Sequence, residues 1–219
     1  MTVFYIGDST VARNNIHSYP QTGMSQGLSL YLKECVRIES HAKNGRSTKS
    51  FLEEGRFAPV EAAMEPGDFL FIQFGHNDEK PDPARHTDPD TTFRENLLGF
   101  VNAARKAGAY PVLITPIARR LFDEGGNFRP GSHGAYPAAM IRTAEEAGVP
   151  VIDLTTVTEA FLSRLGDEPS KPLFVWPKDN THLKPEGAVK MAGFLAQGLA
   201  ALGSPYSDLL AGSDEGADR

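Results

Sequence analysis

The sequence predicts an α/β fold, with a mostly parallel sheet covered by helices on both faces. Two observations carry this. Short apolar runs bounded by glycine, proline or turn residues alternate with longer segments whose apolar residues recur at helical spacing. The runs at 2–6 and 68–74 also lack the polar alternation of a half-exposed strand, so they read as strands buried on both faces.

The first strand runs from Thr2 to Ile6 and is ended by Gly7, after which Asp8-Ser9-Thr10 offers three residues typical of turns and helix caps. From Gln21 to Lys33, Met24, Leu28, Leu30, Tyr31 and Leu32 roughly follow helical spacing. Cys35 to Ser40 is a weaker second strand, with Cys35 read as a buried core residue. The polar loop His41 to Ser47 follows, and Ser47 or Thr48 caps a short helix through Glu54. Asp68 to Phe74 is the clearest strand, and Gly75-His76-Asn77-Asp78 lies at its carboxyl end.

A loop at 79–90 leads to a helix over about 91–107, with Phe93, Leu97, Leu98, Phe100, Val101 and Ala104 on one stripe. Tyr110 to Thr115 is the fourth strand, and a long polar loop runs from Ala118 to His133. Tyr136 to Ala147 is a helix capped by Gly148, Val149 to Leu154 the fifth strand, and Thr155 to Leu165 helical. Pro169, Pro172 and Pro177 hold an irregular loop around Trp176 and Asp179-Asn180-Thr181-His182. Pro185 opens the last helix, which ends near Leu202. One domain therefore spans 1–203, and the small, polar, acidic tail 204–219 is expected to fray.

A net charge of −6 argues against nucleic acid or an anionic membrane as the main partner. No apolar run approaches the ~18 residues of a membrane span. A single cysteine rules out an internal disulfide. With no signal peptide ahead of the first strand, the chain reads as cytoplasmic, although a secreted chain whose leader had been removed would read the same. Nothing in the sequence sets an oligomeric state.

Four segments carry the candidate chemistry. Ser9 follows the first strand, Asn44-Gly45 the second and Asn77 the third, while Asp179 and His182 precede the last helix. A serine hydroxyl needs a base, and a histidine base needs a carboxylate to fix its tautomer; Asp179-x-x-His182 offers both from one turn. Acyl transfer also needs donors aimed at an oxyanion. The Ser9 N–H, the Gly45 N–H and the Asn77 side-chain amide qualify. Taken singly, each has a plain structural alternative: a helix cap for Ser9 or Asp179, a turn glycine for Gly45, an Asx-turn for Asn77.

Together these blocks resemble the SGNH (GDSL-like) hydrolase superfamily: Gly7-Asp8-Ser9, Gly45, Gly75-x-Asn77-Asp78 and Asp179-x-x-His182, in that order. No G-x-S-x-G elbow occurs, which separates the chain from ordinary α/β-hydrolases. The wording is closer still to the rhamnogalacturonan acetylesterase group, carbohydrate esterase family 12. It is carried by GDSTVA (7–12), NGRSTKSF (44–51), FIQFGHND (71–78), TPIARR (115–120) and DNTHLKPEGA (179–188). The resemblance spans Phe4 to Ala188 and implies a three-layer α/β/α sandwich with a five-stranded parallel sheet, flavodoxin-like in its winding. It implies Ser9 as nucleophile, His182 as base, Asp179 as its partner, and an oxyanion hole from Ser9, Gly45 and Asn77.

The activity expected is removal of acetyl groups from pectin-derived saccharides, rhamnogalacturonan oligomers first among them, with no metal or organic cofactor. Met24 stands where that group is expected to carry tryptophan, which would alter a wall near the site. Arg119 and Arg120 are candidates to clamp a uronate carboxylate. His133, Tyr136 and Trp176 are candidates to line a sugar cleft. His76 reads as a strand-end histidine bonded to the loop, and Asp78 as a loop-ordering carboxylate.

Rival readings are another esterase, lipase or thioesterase of the superfamily, a non-catalytic carbohydrate-binding domain, and a two-metal phosphoesterase. The last would use Asp8, His76, Asp78, Asp179 and His182, and it gives Ser9, Gly45 and Asn77 no task.

Overall fold

The structure is a computed structural model and describes residues 1–212. Five strands, β1 (Thr2–Gly7), β2 (Arg37–Ser40), β3 (Phe69–Gln73), β4 (Tyr110–Ile114) and β5 (Val151–Ile152), pair in parallel in the order β2-β1-β3-β4-β5. Successive side chains of β1 point to opposite faces, and both sets are buried. Val3 and Tyr5 join the core beneath α1 (Met24–Leu28), α6 (Leu154–Leu165) and α8 (Pro185–Leu202), with the short α7 (Asp167–Ser170) between the last two in sequence. Phe4 and Ile6 join the core beneath α2 (Thr48–Glu53), α3 (Ala58–Ala63), α4 (Thr92–Lys106) and α5 (Tyr136–Ala147). This two-sided burial explains why β1 and β3 lack alternation in sequence.

The winding reverses between β1 and β3, whose register pairs Gly7 with Gln73. A sheet of this kind opens a crevice at the carboxyl ends of the strands on either side of such a reversal. The segments after Gly7 and after Gln73 therefore leave the sheet side by side, which places Ser9 and Asn77 at one mouth.

Several elements differ from expectation. Helix α1 stops at Leu28 instead of continuing to Lys33, because Leu32 pairs with Leu210 across an antiparallel bridge and the Lys33 N–H donates to Leu209 O at 3.0 Å. At Gly27, α1 crosses α8 so closely that a Cβ would lie 2.6 Å from the Ala188 carbonyl oxygen. Cys35 is exposed rather than buried, since it sits in the turn that precedes the edge strand β2. Strand β5 is only two residues long because Asp153 leaves the ladder to cap α6, its side chain accepting from the Thr156 N–H. Helix α3 has only Val60 buried, too little apolar periodicity to read in sequence.

The stretch 204–212 does not fray. Tyr206 packs edge-on against Phe69 and donates its hydroxyl to Pro111 O at 2.8 Å, and Leu209 is fully buried. The rest of the expected tail, 213–219, lies outside the described residues. No described helix is long and apolar enough to cross a membrane.

Candidate active site

Past Gly7, the Asp8 carboxylate accepts from the Thr10 N–H and hydroxyl, both at 2.9 Å, while its carbonyl accepts from the Val11 and Ala12 N–H groups. This tight turn holds Ser9 at the sheet edge with only 6% of its surface exposed. Ser9 Oγ lies 2.9 Å from His182 Nε2. On the other side of the ring, His182 Nδ1 lies 3.1 Å from Asp179 Oδ2. A carboxylate only accepts, so Nδ1 carries the proton and Nε2 is left to accept from the serine hydroxyl.

Asp179 also folds its own loop, with Oδ1 accepting from the Thr181 N–H at 2.9 Å and the His182 N–H at 2.7 Å. Partial burial would raise its pKa, but these donors and the His182 ring outweigh that and hold it below the usual carboxylate value. The histidine and aspartate side chains are 32% and 35% exposed, open to the cleft.

Gly45, after β2, takes φ +79, a left-handed conformation that favours glycine, and no atom lies within 4 Å of where its Cβ would be. The Asn77 amide is oriented from both ends: Nδ2 donates to Arg46 O at 3.2 Å, and Oδ1 accepts from Arg85 Nη1 at 3.4 Å. One N–H of the amide is left to point elsewhere. Ser9, Gly45, Asn77, Asp179 and His182 line one cavity of about 530 Å³.

The structure treats the other expected residues unequally. Arg119 lines the cavity. Arg120, His133 and Tyr136 do not line it, because the fold turns their polar atoms inward. The Arg120 side chain is 2% exposed, ion-paired with Asp167, bonded to Ser170 Oγ at 2.8 Å, and placed over the rings of Phe122 and Trp176. His133 is buried between Glu79 Oε2 and Ile117 O, each 2.8 Å away. The Tyr136 hydroxyl donates to the carbonyls of Asp78 and Thr87. Trp176 is 41% exposed, with Arg120 and Lys171 over its ring, and lies outside the lining of the cavity. Met24 is not a wall of the site: it is fully buried in the core, where Gln73 Nε2 donates to its sulfur at 3.7 Å.

His76 is buried with Nδ1 3.4 Å from Asp8 Oδ2, without hydrogen-bond geometry, and burial pushes its pKa down to about 4. It is therefore neutral near pH 7 and poorly suited to the work of a base. Asp78 orders loops, accepting from the Thr48 N–H at 3.0 Å, the Thr48 hydroxyl at 2.6 Å and the Thr87 hydroxyl at 3.1 Å. No group of three or more His, Cys, Asp or Glu side chains among the described residues is arranged to hold a metal ion.

Sequence reasoning missed Gln21, Lys80, Arg85 and Thr181, all of which line the cavity. The available signal for Lys80 and Arg85 was their position in the loop directly after the Asn77 block. Arg119 pairs with Glu79 and Arg85 with Asp82, whereas the Lys80 ammonium has no carboxylate partner among the described residues.

The chain is similar to several known proteins. The model of the GDSL-like lipase/acylhydrolase family matches residues 5–189. The chain is 42% identical to rhamnogalacturonan acetylesterase RhgT of Bacillus subtilis strain 168, over 95% of this chain and 93% of that one. Among solved structures, protein YxiM of Bacillus subtilis superposes with a TM-score of 0.83 at 26% identity, covering 93% of this chain and 57% of that one. Axe2, an acetylxylan esterase of Geobacillus stearothermophilus, shares the fold with a TM-score of 0.65 at 18% identity, covering 94% and 95% of the two chains.

Proposed function

The chain belongs to the GDSL-like lipase/acylhydrolase family and is a carboxylic ester hydrolase; from that premise we propose that it is a serine acetylesterase acting on acetylated pectic oligosaccharides, rhamnogalacturonan fragments first among them. The observation that carries the mechanism is the unbroken line from Ser9 Oγ through His182 to Asp179, at 2.9 and 3.1 Å. His182 Nε2 takes the hydroxyl proton as Ser9 Oγ attacks the ester carbonyl. The oxyanion forms against the N–H groups of Ser9 and Gly45 and the Asn77 amide. His182 then gives the proton to the departing sugar oxygen, leaving acetyl on Ser9. In the second half, His182 deprotonates water, water attacks the acyl carbonyl, and acetate leaves as Oγ regains its proton.

Two features support the substrate class. RhgT, the relative at 42% identity, is a rhamnogalacturonan acetylesterase. The cavity also carries Lys80, Arg85 and Arg119 in a chain of net charge −6, and Lys80 is left without a carboxylate partner among the described residues. That ammonium, on the same cavity as Ser9, suits a uronate carboxylate on the sugar.

A substrate panel tests this reading. The loops around the site offer no run of large apolar residues, so each added methylene of an acyl chain forgoes ~0.8 kcal/mol of burial. kcat/KM is expected to fall steeply from acetyl to butyryl to octanoyl esters of one leaving group. Acetylated pectic oligosaccharides should exceed aryl acetates, because remote sugar contacts add to transition-state binding. Equal or rising kcat/KM with chain length would instead indicate a lipase-like or thioesterase-like activity on the same scaffold.

A further inference from the structure

Between the two loops that meet at Ser9 lies a guanidinium that the reaction as written does not use. Arg119, in the loop after β4, is only 14% exposed. Its Nη1 donates to Thr181 Oγ1 at 2.6 Å, and its Nη2 donates to His76 O at 3.2 Å and Glu79 Oε1 at 2.5 Å. Glu79 is held in turn: its other oxygen meets His133 Nδ1 at 2.8 Å, and His133 Nε2 meets Ile117 O at 2.8 Å. Burial would raise the Glu79 pKa, but His133 and Arg119 outweigh it and keep the carboxylate charged. A second tie from the same dipeptide reaches the same loop, since the Arg120 N–H donates to Asn180 O at 2.8 Å.

Asn180 and Thr181 are the two residues between Asp179 and His182. Fixing them fixes the spacing of the carboxylate, the imidazole and Ser9. The opposite end of the guanidinium grips residues 76–79, the segment that carries Asn77. Arg119 is thus the one side chain among the described residues seen to hydrogen-bond both the base-bearing loop and the oxyanion-side loop.

We propose that Arg119 is a positioning residue, a strut that sets the distance between His182 and Ser9 by tying Thr181 to the His76–Glu79 segment. This rests on the serine esterase reading above, and it displaces the expectation that Arg119 clamps a substrate carboxylate. A planar fork with several donors suits a three-way tie, which a lysine ammonium cannot reproduce in the same geometry. Small misplacements of a base are costly, of the order of 10²-fold for about 1 Å.

The test breaks one bond from both ends. Arg119→Met and Thr181→Val are each assayed on an aryl acetate, which has no carboxylate, and on an acetylated uronate oligosaccharide. The strut predicts that each variant loses about 10-fold or more in kcat on both substrates while KM moves little, and that the double variant is no slower than Arg119→Met. Guanidinium ion added to Arg119→Ala should restore part of the lost kcat. A rise in KM confined to the uronate substrate, with kcat unchanged and Thr181→Val silent, overturns the proposal and makes Arg119 a substrate ligand. Additive losses overturn it as well. Thr181→Val removes a single hydroxyl, so it keeps the test open if an Arg119 variant fails to fold. Ser9→Ala assayed alongside separates the two claims: retained activity there sinks the serine mechanism, not the strut alone.

Discussion

The Asn77 amide is oriented from both ends: Arg85 faces its oxygen and the Arg46 carbonyl faces its nitrogen. A donor fixed in this way acts where negative charge develops and contributes little to ground-state binding. Asn77→Ala is therefore expected to lower kcat by about 10²–10³, or roughly 3–4 kcal/mol, with KM nearly constant. Steady-state kinetics on an aryl acetate decide it: a raised KM at unchanged kcat would make Asn77 a binding residue. The neighbouring residues show what sequence can and cannot say at this scale. The sequence motifs that carry Ser9, Asn77, Asp179 and His182 were legible, and the structure brings these residues to one cavity. Side-chain direction was not. Arg120 and Tyr136 lie close in sequence to plausible cleft loops, yet they are committed to Asp167, Ser170 and two carbonyls.

At the scale of elements, the segment after β3 is joined to the start of α2 through Asp78, which accepts from the Thr48 backbone and hydroxyl. Burial is the largest influence on this carboxyl; despite its hydrogen bonds, its pKa is raised to about 7. The folded protein then keeps a proton that the unfolded chain releases near pH ~3.9. Between these values the native state binds more protons, so stability falls as pH rises. The contribution is full below the unfolded value and is lost as pH climbs through about 7. Asp78→Asn cannot titrate, so its unfolding midpoint should fall less than that of the parent between pH 4 and 8. Parallel profiles for the two proteins would show that Asp78 is ionised in the fold across that range.

The elements themselves were legible in proportion to how locally they are determined. β3 and α4 came within a residue or two of their limits because burial on both faces and a single apolar stripe are local patterns. The end of α1, the shortness of β5 and the docking of Tyr206 and Leu209 were not legible. The first and last depend on distant partners, Leu210 for Leu32 and Phe69 and Pro111 for Tyr206, whereas β5 ends where Asp153 caps the adjoining α6 instead of extending the strand.

Across the whole molecule, the reversal of winding between β1 and β3 decides where chemistry can occur. It brings the loops after β1, β2 and β3 to one mouth, and the loop before α8 closes it with Asp179 and His182. Lys80, Arg85 and Arg119 line that mouth in a chain of net charge −6. The central claim is that Ser9 is the nucleophile of an acetylesterase acting on pectic saccharides. Acetate release from acetylated rhamnogalacturonan oligosaccharides, measured for the parent protein and for Ser9→Ala at equal concentration, tests it most directly. Steady release by the parent is expected, with a loss of about 10⁴-fold or more in kcat for the variant, on the scale seen when one member of a cooperating triad is removed. A Ser9→Ala protein that retains most of the parent's rate would contradict it.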